Sequence, residues 1–192
     1  CYSDTPLIPL RQYGPNRLPP LEHVFVSGGY REGTNNRTIN RPEAEAIVAR
    51  IAELCDDSRY DEMSIGVVVL QGEAQAALIE NQLLERLGAE EMERRRLVCG
   101  NPYSFQGDER DIMFLSLVAA NNERIGPLTK AADERRFNVA ASRARDRMIL
   151  FHSVTCDDLS TTCLRRKLLD FFEKTKPQQI AGIDRDELER RA

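Results

Sequence analysis

The chain has 192 residues, with 27 lysine and arginine residues against 31 aspartate and glutamate residues, which gives a formal charge of −4 at pH 7. This length fits one domain with short flanking segments, and 41% of hydrophobic residues is enough for a packed core. No apolar run approaches the roughly 20 residues of a transmembrane helix, so we predict no membrane span. The negative charge excludes nucleic-acid binding through bulk positive charge, and any such contact would need a local basic surface.

The five cysteines are scattered along the chain and form no Cys-x-x-Cys pair. The two histidines, His23 and His152, are too few to complete a zinc site of the usual kind, so we predict no metal site. The cysteine pattern is typical of reduced thiols in a cytoplasmic compartment. The chain begins at Cys1 without a signal-peptide pattern, and we expect it to be a piece of a longer protein.

Hydrophobic periodicity predicts one domain, over residues 23–176, in which strands alternate with helices. We predict strands at residues 23–26, 64–70, 96–99, 111–118 and 148–152. We predict helices at residues 41–56, 73–87, 133–145 and 164–174, the first capped by Asn40 and the second ended by Gly88. The proline-rich residues 1–22 are predicted to be irregular, and residues 177–192 to be a polar tail or linker.

This alternation indicates an α/β fold with a mostly parallel sheet and helices on both faces. Ligands of such sheets bind beyond the carboxyl ends of the strands. We therefore expect the functional loops after Leu70, after Cys99 and around the start of the helix at Asp133. The chain has no Gly-x-x-x-x-Gly-Lys-Ser/Thr loop, no Gly-x-Gly-x-x-Gly after a strand, no Gly-x-Ser-x-Gly and no His-Glu-x-x-His, so nothing signals a free-standing hydrolase or dehydrogenase.

Two polar segments are candidates for function. Residues 103–111 form a polar loop before a hydrophobic strand, which is either a surface turn with Gly107 at positive φ or a loop held for a polar ligand. Residues 134–145 are predicted to form an arginine-rich helix with Arg136 and Arg143 on the same side, seven residues apart. That helix is either a salt-bridged surface helix or a set of guanidinium donors for phosphate oxygens.

The two segments resemble motifs V and VI of superfamily 1 helicases, in the subgroup of the mRNA-decay and Okazaki-fragment-processing helicases. Residues 104–118 read SFQGDERDIMFLSLV, and residues 134–150 read ERRFNVAASRARDRMIL. The strand ending at Leu70, followed by Gln75, is similar to motif IV, although Leu70-Gln71-Gly72 replaces the usual Thr-Pro-Tyr. The resemblance covers about residues 40–155.

The resemblance implies a RecA-like three-layer sandwich, a P-loop NTPase-type fold without its own P-loop, which is the second of two motor domains. The first domain, absent from this chain, would hold ATP and most of the contacts to Mg²⁺. Arg143 would be the arginine finger, stabilising charge on the γ-phosphate. Further nucleotide contacts are implied for Gln106, Gly107, Glu109 and Arg136. Contacts to the nucleic-acid backbone are implied for Tyr103 and Ser104.

The leading interpretation is the C-terminal motor domain of an ATP-dependent helicase or translocase. Its partners would be the N-terminal RecA-like domain and single-stranded nucleic acid, with DNA favoured over RNA. The parent would be cytoplasmic, or nucleoid-associated if bacterial, and the isolated chain inactive. An alternative from another class is a non-catalytic α/β interaction module derived from such a domain. A parent with an attached nuclease domain, linked through the tail after Pro177, is also compatible with the sequence.

Overall fold

A computed structural model describes residues 19–174. Its strands are β1 (Leu21–Phe25), β2 (Arg31–Glu32), β3 (Ile39–Asn40), β4 (Ile65–Val69), β5 (Val98–Gly100), β6 (Arg110–Ala120) and β7 (Ala144–Ser153). Its helices are α1 (Arg41–Cys55), α2 (Glu73–Arg94), α3 (Ala131–Ala140) and α4 (Leu164–Lys174). The predicted irregular segment lies outside the described residues up to residue 18, and the predicted tail lies entirely outside them.

Five strands form one parallel sheet in the order β1-β7-β6-β4-β5, which confirms the predicted α/β class. One apolar layer packs α1 and α2 on the sheet through residues such as Ile47, Ile79 and Val67. A second layer packs α3 and α4 on the other face, through residues such as Phe137 and Leu169. The result is the RecA-like arrangement of three layers. Strands β2 and β3 form a separate antiparallel pair.

The central strand β4 matches its prediction because every residue from Ile65 to Val69 is buried. Val67 and Val69 face one apolar layer, while Val68 faces the other. A strand that is covered on both faces needs apolar side chains at every position, and so shows no polar alternation. The neighbouring β6 is longer than predicted, and its last residues are irregular in register at Val118, which has a φ of 65°.

The start of α1 is also as predicted. The Asn40 side chain accepts a hydrogen bond from the Glu43 backbone N–H at 3.3 Å, and Pro42 lies in the first turn. In α2, Gly88 has a φ of 78° and interrupts the helix, but a further helical segment continues to Arg94. The prediction that Gly88 ends the first helical segment was therefore right, and the second segment up to Arg94 was not predicted.

The predicted helix over residues 133–145 was wrong at its carboxyl end. Helix α3 ends at Ala140, and residues from Ala144 onward form β7, so Arg143 lies in the turn between them. The physical reason is tertiary: β7 pairs with both β6 and β1, and the buried Arg147 on β7 forms an ion pair with Glu22 of β1. Strand pairing of this extent overrides a local helix preference.

Two smaller boundaries differ. The first strand begins at Leu21 instead of residue 23, and β5 begins at Val98 because Arg96, with a φ of 48°, turns the chain before it. Among residues 19–174, none of the helices combines the length and apolar character required to cross a bilayer.

Candidate functional site

The loop between β5 and β6 runs from the carboxyl edge of the sheet to its amino edge. It starts with a 3₁₀ turn at Pro102–Phe105, where the Asn101 side chain accepts hydrogen bonds from the backbone N–H groups of Tyr103 and Ser104 at 2.9 and 3.3 Å. Further along the loop lies Gly107, an exposed residue with a φ of 81° that has no heavy atom within 4 Å of the position of a Cβ. The backbone at Gly107 is therefore open to close approach.

The Phe105 side chain anchors this loop. It is fully buried and packs over Gly66 of β4, where a Cβ would come within 2.9 Å of the ring. The guanidinium of Arg110 lies 5.9 Å from the ring centroid and forms an ion pair with Asp108 at 2.7 Å. The hydrogen bond from Arg110 lowers the pKa of the Asp108 carboxyl group. Asp108 and Arg110 therefore stabilise the conformation of the loop.

Asp111, at the start of β6, also has a structural role. Its carboxylate accepts hydrogen bonds from the Ser64 backbone N–H at 2.9 Å and from the Ser64 hydroxyl at 2.6 Å. These bonds tie the amino end of β6 to the start of β4. Part of the polar loop sequence is therefore accounted for by folding, and the exposed residues that remain are Tyr103, Ser104, Gln106, Gly107 and Glu109.

Arg143 lies at the amino edge, beside this loop. Its carbonyl accepts the Arg110 backbone N–H at 3.1 Å, which places the α3–β7 turn against the start of β6. Its partly exposed guanidinium donates to the Val139 carbonyl at 3.2 Å and to the Ser142 hydroxyl at 2.8 Å. Within residues 19–174 it forms no ion pair, so its charge is held in place by neutral acceptors only.

Glu109 is joined to the same turn. Its carboxylate pairs with the Arg145 guanidinium at 3.2 Å, and both side chains are largely exposed. The structure thus brings Gly107, Glu109, Arg143 and Arg145 together at the amino ends of β6 and β7. The expectation that the whole site would lie beyond the carboxyl ends of the strands was wrong for these residues, because the loop crosses the sheet before it reaches them.

Arg136 lies elsewhere. Its guanidinium donates to the Leu70 carbonyl at 3.0 Å, at the carboxyl end of β4. The predicted alignment of Arg136 with Arg143 was wrong, since only Arg136 is on the helix. Ser104 packs against Gly100, at the carboxyl end of β5, and the adjacent Tyr103 is 51% exposed. The candidate residues are therefore divided between two opposite edges of the sheet.

A buried polar cluster at the carboxyl edge was missed by the sequence analysis. The Glu43 carboxylate, with no exposed surface, accepts hydrogen bonds from the Ser116 hydroxyl at 2.7 Å and the Val118 backbone N–H at 2.9 Å. Burial raises the pKa of Glu43 to about 7, although these hydrogen bonds oppose the shift. In the sequence, Glu43 reads only as an acidic residue in the first turn of a helix.

An apolar pocket of about 390 Å³ lies at the amino edge, next to the Glu109–Arg145 pair. Its lining includes Pro20, Leu21, Ala144, Arg145, Phe171 and Phe172. The first two precede or begin β1 and the last two come near the end of α4. Both ends of the described chain therefore lie at the edge that carries Arg143.

Potential metal ligands meet at Cys156, Asp170 and Glu173, whose ligand atoms lie within 4.8 Å of one another. Burial and the two carboxylates raise the pKa of the Cys156 thiol to about 12, so the thiol stays protonated at neutral pH. A protonated thiol is a poor ligand, since metals bind the thiolate. The other described cysteines, Cys55, Cys99 and Cys163, are free thiols.

Comparison with known proteins agrees with this architecture. The profile of a family described as AAA domain (AAA_12) matches residues 12–155, which include the loop before β6 and the α3–β7 turn. The chain belongs to this family. It has the helicase domain type of superfamily 1 that motifs V and VI indicated.

The relatives carry helicase names. The chain is 35% identical over 169 residues to an uncharacterized ATP-dependent helicase, the MG140 homolog of Mycoplasma pneumoniae, and 32% identical over 168 residues to MG140 of Mycoplasma genitalium. It is 29% identical over 149 residues to the DNA replication ATP-dependent helicase/nuclease dna2 of Schizosaccharomyces pombe. These alignments cover 77–80% of the chain, but the chain spans only 15% of each Mycoplasma protein and 10% of the yeast protein.

Proposed function

We propose that the chain is the C-terminal motor domain of an ATP-dependent helicase or translocase, and that Arg143 is its arginine finger. The observation that carries the proposal is the state of Arg143: a partly exposed guanidinium at the amino edge, bound only to the neutral oxygens of Val139 and Ser142. A guanidinium with free donors suits an incoming phosphate, because it has no carboxylate to give up.

The neighbouring residues fit one side of a triphosphate. Gly107 offers an open backbone for close approach, and Glu109 offers a carboxylate that is held only by an exposed ion pair. An exposed pair of this kind contributes little stability, so a ligand can replace it easily. Gln106 is exposed beside them. Bound ATP supplies the phosphoanhydride bond, and Arg143 would hold the charge that develops on its terminal phosphate.

Contacts to Mg²⁺ are assigned to another domain of the parent. Within the loop, Asp108 is already paired with Arg110 at 2.7 Å and Asp111 is bound to Ser64, while Glu109 is assigned to the nucleotide. The chain also has no P-loop sequence. An N-terminal RecA-like domain of the same parent would therefore hold the nucleotide and its metal, and would face the amino edge of this domain.

Single-stranded nucleic acid is the proposed substrate, with DNA favoured over RNA. Tyr103, half exposed, and Ser104 lie at the carboxyl-edge end of the same loop that carries Glu109. One anchored loop would thus contact both the strand and the nucleotide, so that closure around ATP moves the strand. The proposed location of the parent is the cytoplasm, or the nucleoid if the organism is bacterial.

The test is the substitution Arg143→Ala in the full-length parent protein. We expect strand-stimulated ATP turnover to fall by a factor on the order of 10³, because an arginine finger contributes that much to the rate. The matched control is Arg135→Ala, which removes an exposed arginine from α3 and should leave turnover nearly unchanged. Turnover that is the same in both variants would instead favour the non-catalytic interaction module.

A further inference from the structure

Arg165, a buried arginine at the carboxyl edge of the sheet, has no carboxylate partner of the kind that the other buried arginines have. Within the described residues, four arginines are almost completely buried: Arg95, Arg110, Arg147 and Arg165. The first three pair with the carboxylates of Glu91, Asp108 and Glu22, respectively. Arg165, 3% exposed, forms no ion pair within residues 19–174. Burying a charge without a counter-ion costs free energy, so binding of an anion next to Arg165 would be favourable.

The position of Arg165 in its helix adds to the free-energy cost of burying its charge. It lies in the first turn of α4, which contains no acidic residue, where the helix dipole disfavours a cation. Its guanidinium donates to the Gly126 carbonyl at 3.2 Å and to the Gln71 side-chain oxygen, and its Nε has no hydrogen-bond partner. These oxygen acceptors are neutral, and the guanidinium also interacts with the Cys163 side chain beside it. Burial lowers the pKa of Arg165, and the nearby Arg31 charge acts in the same direction, while Cys163 and Asp133 oppose the shift.

Two more arginines lie close to Arg165, one of them at the same turn after β4. Arg136 of α3 donates to the Leu70 carbonyl at 3.0 Å, one residue before the Gln71 that Arg165 contacts. Arg31 of β2 is near enough to repel Arg165, and its Nε also lacks a partner. Arg31 and Arg136 are partly exposed, so the cluster is open to solvent through them.

The acidic groups near the cluster do not balance it. Glu123 is 3.4 Å from Arg31, and its side chain is 44% exposed. The Asp133 carboxylate accepts the Lys130 backbone N–H at 3.2 Å at the start of α3, and acts on Arg165 only through space. Two guanidiniums from separate helices therefore contact one turn, a third from β2 lies near Arg165, and two carboxylates lie beside the group. Convergence of this kind is how proteins bind phosphate.

We propose that Arg31, Arg136 and Arg165 form a phosphate-binding site at the carboxyl edge, and that its ligand is a backbone phosphate of single-stranded nucleic acid. Although the family resemblance implies a nucleotide contact for Arg136, the strand is preferred to the nucleotide as the source of phosphate because the other charged nucleotide candidates, Glu109 and Arg143, lie at the opposite edge. Ser104, a proposed strand contact, follows β5, which neighbours β4 at the same edge as the cluster. The proposal rests on the function proposed above.

The experiment measures binding of a fluorescein-labelled oligothymidylate to the full-length protein by anisotropy, between about 50 and 200 mM salt. Arg165→Gln and Arg31→Gln should each weaken binding about tenfold. Each should also reduce the slope of log K against log salt by about 0.7, the value for one lost phosphate contact on a single strand. The control, Arg94→Gln, removes an exposed arginine that pairs with Glu91 at 2.7 Å, and should leave the slope unchanged.

The outcomes separate this inference from the proposed function. If the unchanged protein binds no single strand, the proposed function fails. If it binds and both variants keep its slope, the strand-binding function stands and the arginine site is wrong. A rise in the KM for ATP with unchanged strand binding would assign the site to nucleotide phosphate and overturn the proposal. Should circular dichroism show that Arg165→Gln does not fold, the half-buried Arg31 decides by itself.

Discussion

Glu43 places a carboxyl group in the interior of the domain, at the carboxyl ends of β6 and β7. Besides Ser116 and Val118, its second oxygen is approached by the Asn40 amide at 3.4 Å and the Ser153 hydroxyl at 3.5 Å. These partners are all neutral, so no positive charge compensates for lost hydration. With a pKa of about 7, Glu43 changes protonation state near neutral pH.

The stability of the domain should therefore depend on pH through Glu43. Between about pH 4.5 and 7, the folded protein keeps a proton that the unfolded chain has released, so stability falls as pH rises through that window. The expected loss is on the order of 3 kcal/mol, because the pKa of Glu43 rises from 4.5 in the unfolded chain to about 7 in the folded protein. Urea unfolding of Glu43→Gln at pH 5 and pH 8 should lack this part of the pH dependence.

Glu45→Gln is the matched control, since Glu45 is an exposed carboxyl group on the same helix. It should show the same pH dependence as the unchanged protein. An equal pH dependence in Glu43→Gln would mean that Glu43 is not protonated in the folded state.

At the scale of elements, the loop before β6 is positioned by a close contact between β4 and Phe105. A Cβ on Gly66 would come within 2.6 Å of Met113 Sδ and within 2.9 Å of Phe105. Distances this short require the neighbours to move. Because Phe105 carries the loop to Gly107 and Glu109, a shift there reaches the candidate site.

Gly66→Ala should therefore lower the free energy of unfolding by about 1–3 kcal/mol, the usual cost of overpacking a core. The control is Gly126→Ala, where an added Cβ meets no heavy atom within 4 Å, and the expected change is below about 0.5 kcal/mol. Urea unfolding of both variants provides the measurement. Equal midpoints for the two variants would show that the sheet can adjust around Phe105 without cost.

Elements whose residue pattern reflects local burial were predicted well from the sequence. The predictions were less accurate where pairing between distant strands determines the secondary structure. β4 and α1 were predicted nearly to the residue, because an unbroken β-branched run and an N-cap followed by proline are local signals. The segment after Ala140 has the composition of a helix, and only its pairing with two strands makes it β7. Arg143 was singled out from its motif, but its place in a turn could not be read from helical spacing.

The candidate site shows the same division. Gly107, Glu109 and Arg143 are adjacent because parallel register pairs Arg110 with Ala144, which no periodicity reveals. The isolation of Arg165 was not predictable either, because an Arg-Arg-Lys run at the start of a helix looks like a solvated surface. Only the three-dimensional structure shows that Arg165 is buried without a carboxylate partner, whereas the other buried arginines each pair with a carboxylate.

At the scale of the whole molecule, the chain itself covers the amino end of α2, where a P-loop domain would hold a triphosphate. A Cβ on Gly72, in the turn after β4, would lie 2.4 Å from the Thr38 carbonyl, so the segment before α1 covers that turn. Nearby, Gln75 exchanges hydrogen bonds with the Asn40 backbone at 2.8 and 3.0 Å. The chain thus closes with its own polar groups the start of the helix that would cradle a triphosphate.

The pure 192-residue chain should accordingly hydrolyse no ATP, with or without a single strand. Phosphate release is the measurement, and the full-length parent protein is the positive control. Strand-stimulated release by the chain alone would place a complete catalytic apparatus within it and contradict the proposed division between two motor domains.

The pocket beside Arg145 brings Pro20 and Phe172, near the two ends of the described chain, to one side of the sheet. Any domain joined through residues 1–18 or 175–192 is therefore tethered within a few nanometres of Arg143. A tether of limited length can raise the local concentration of a joined domain to the millimolar range. Even a domain that binds the amino edge weakly would then be bound most of the time. Lengthening either tether would weaken this binding without altering a contact residue.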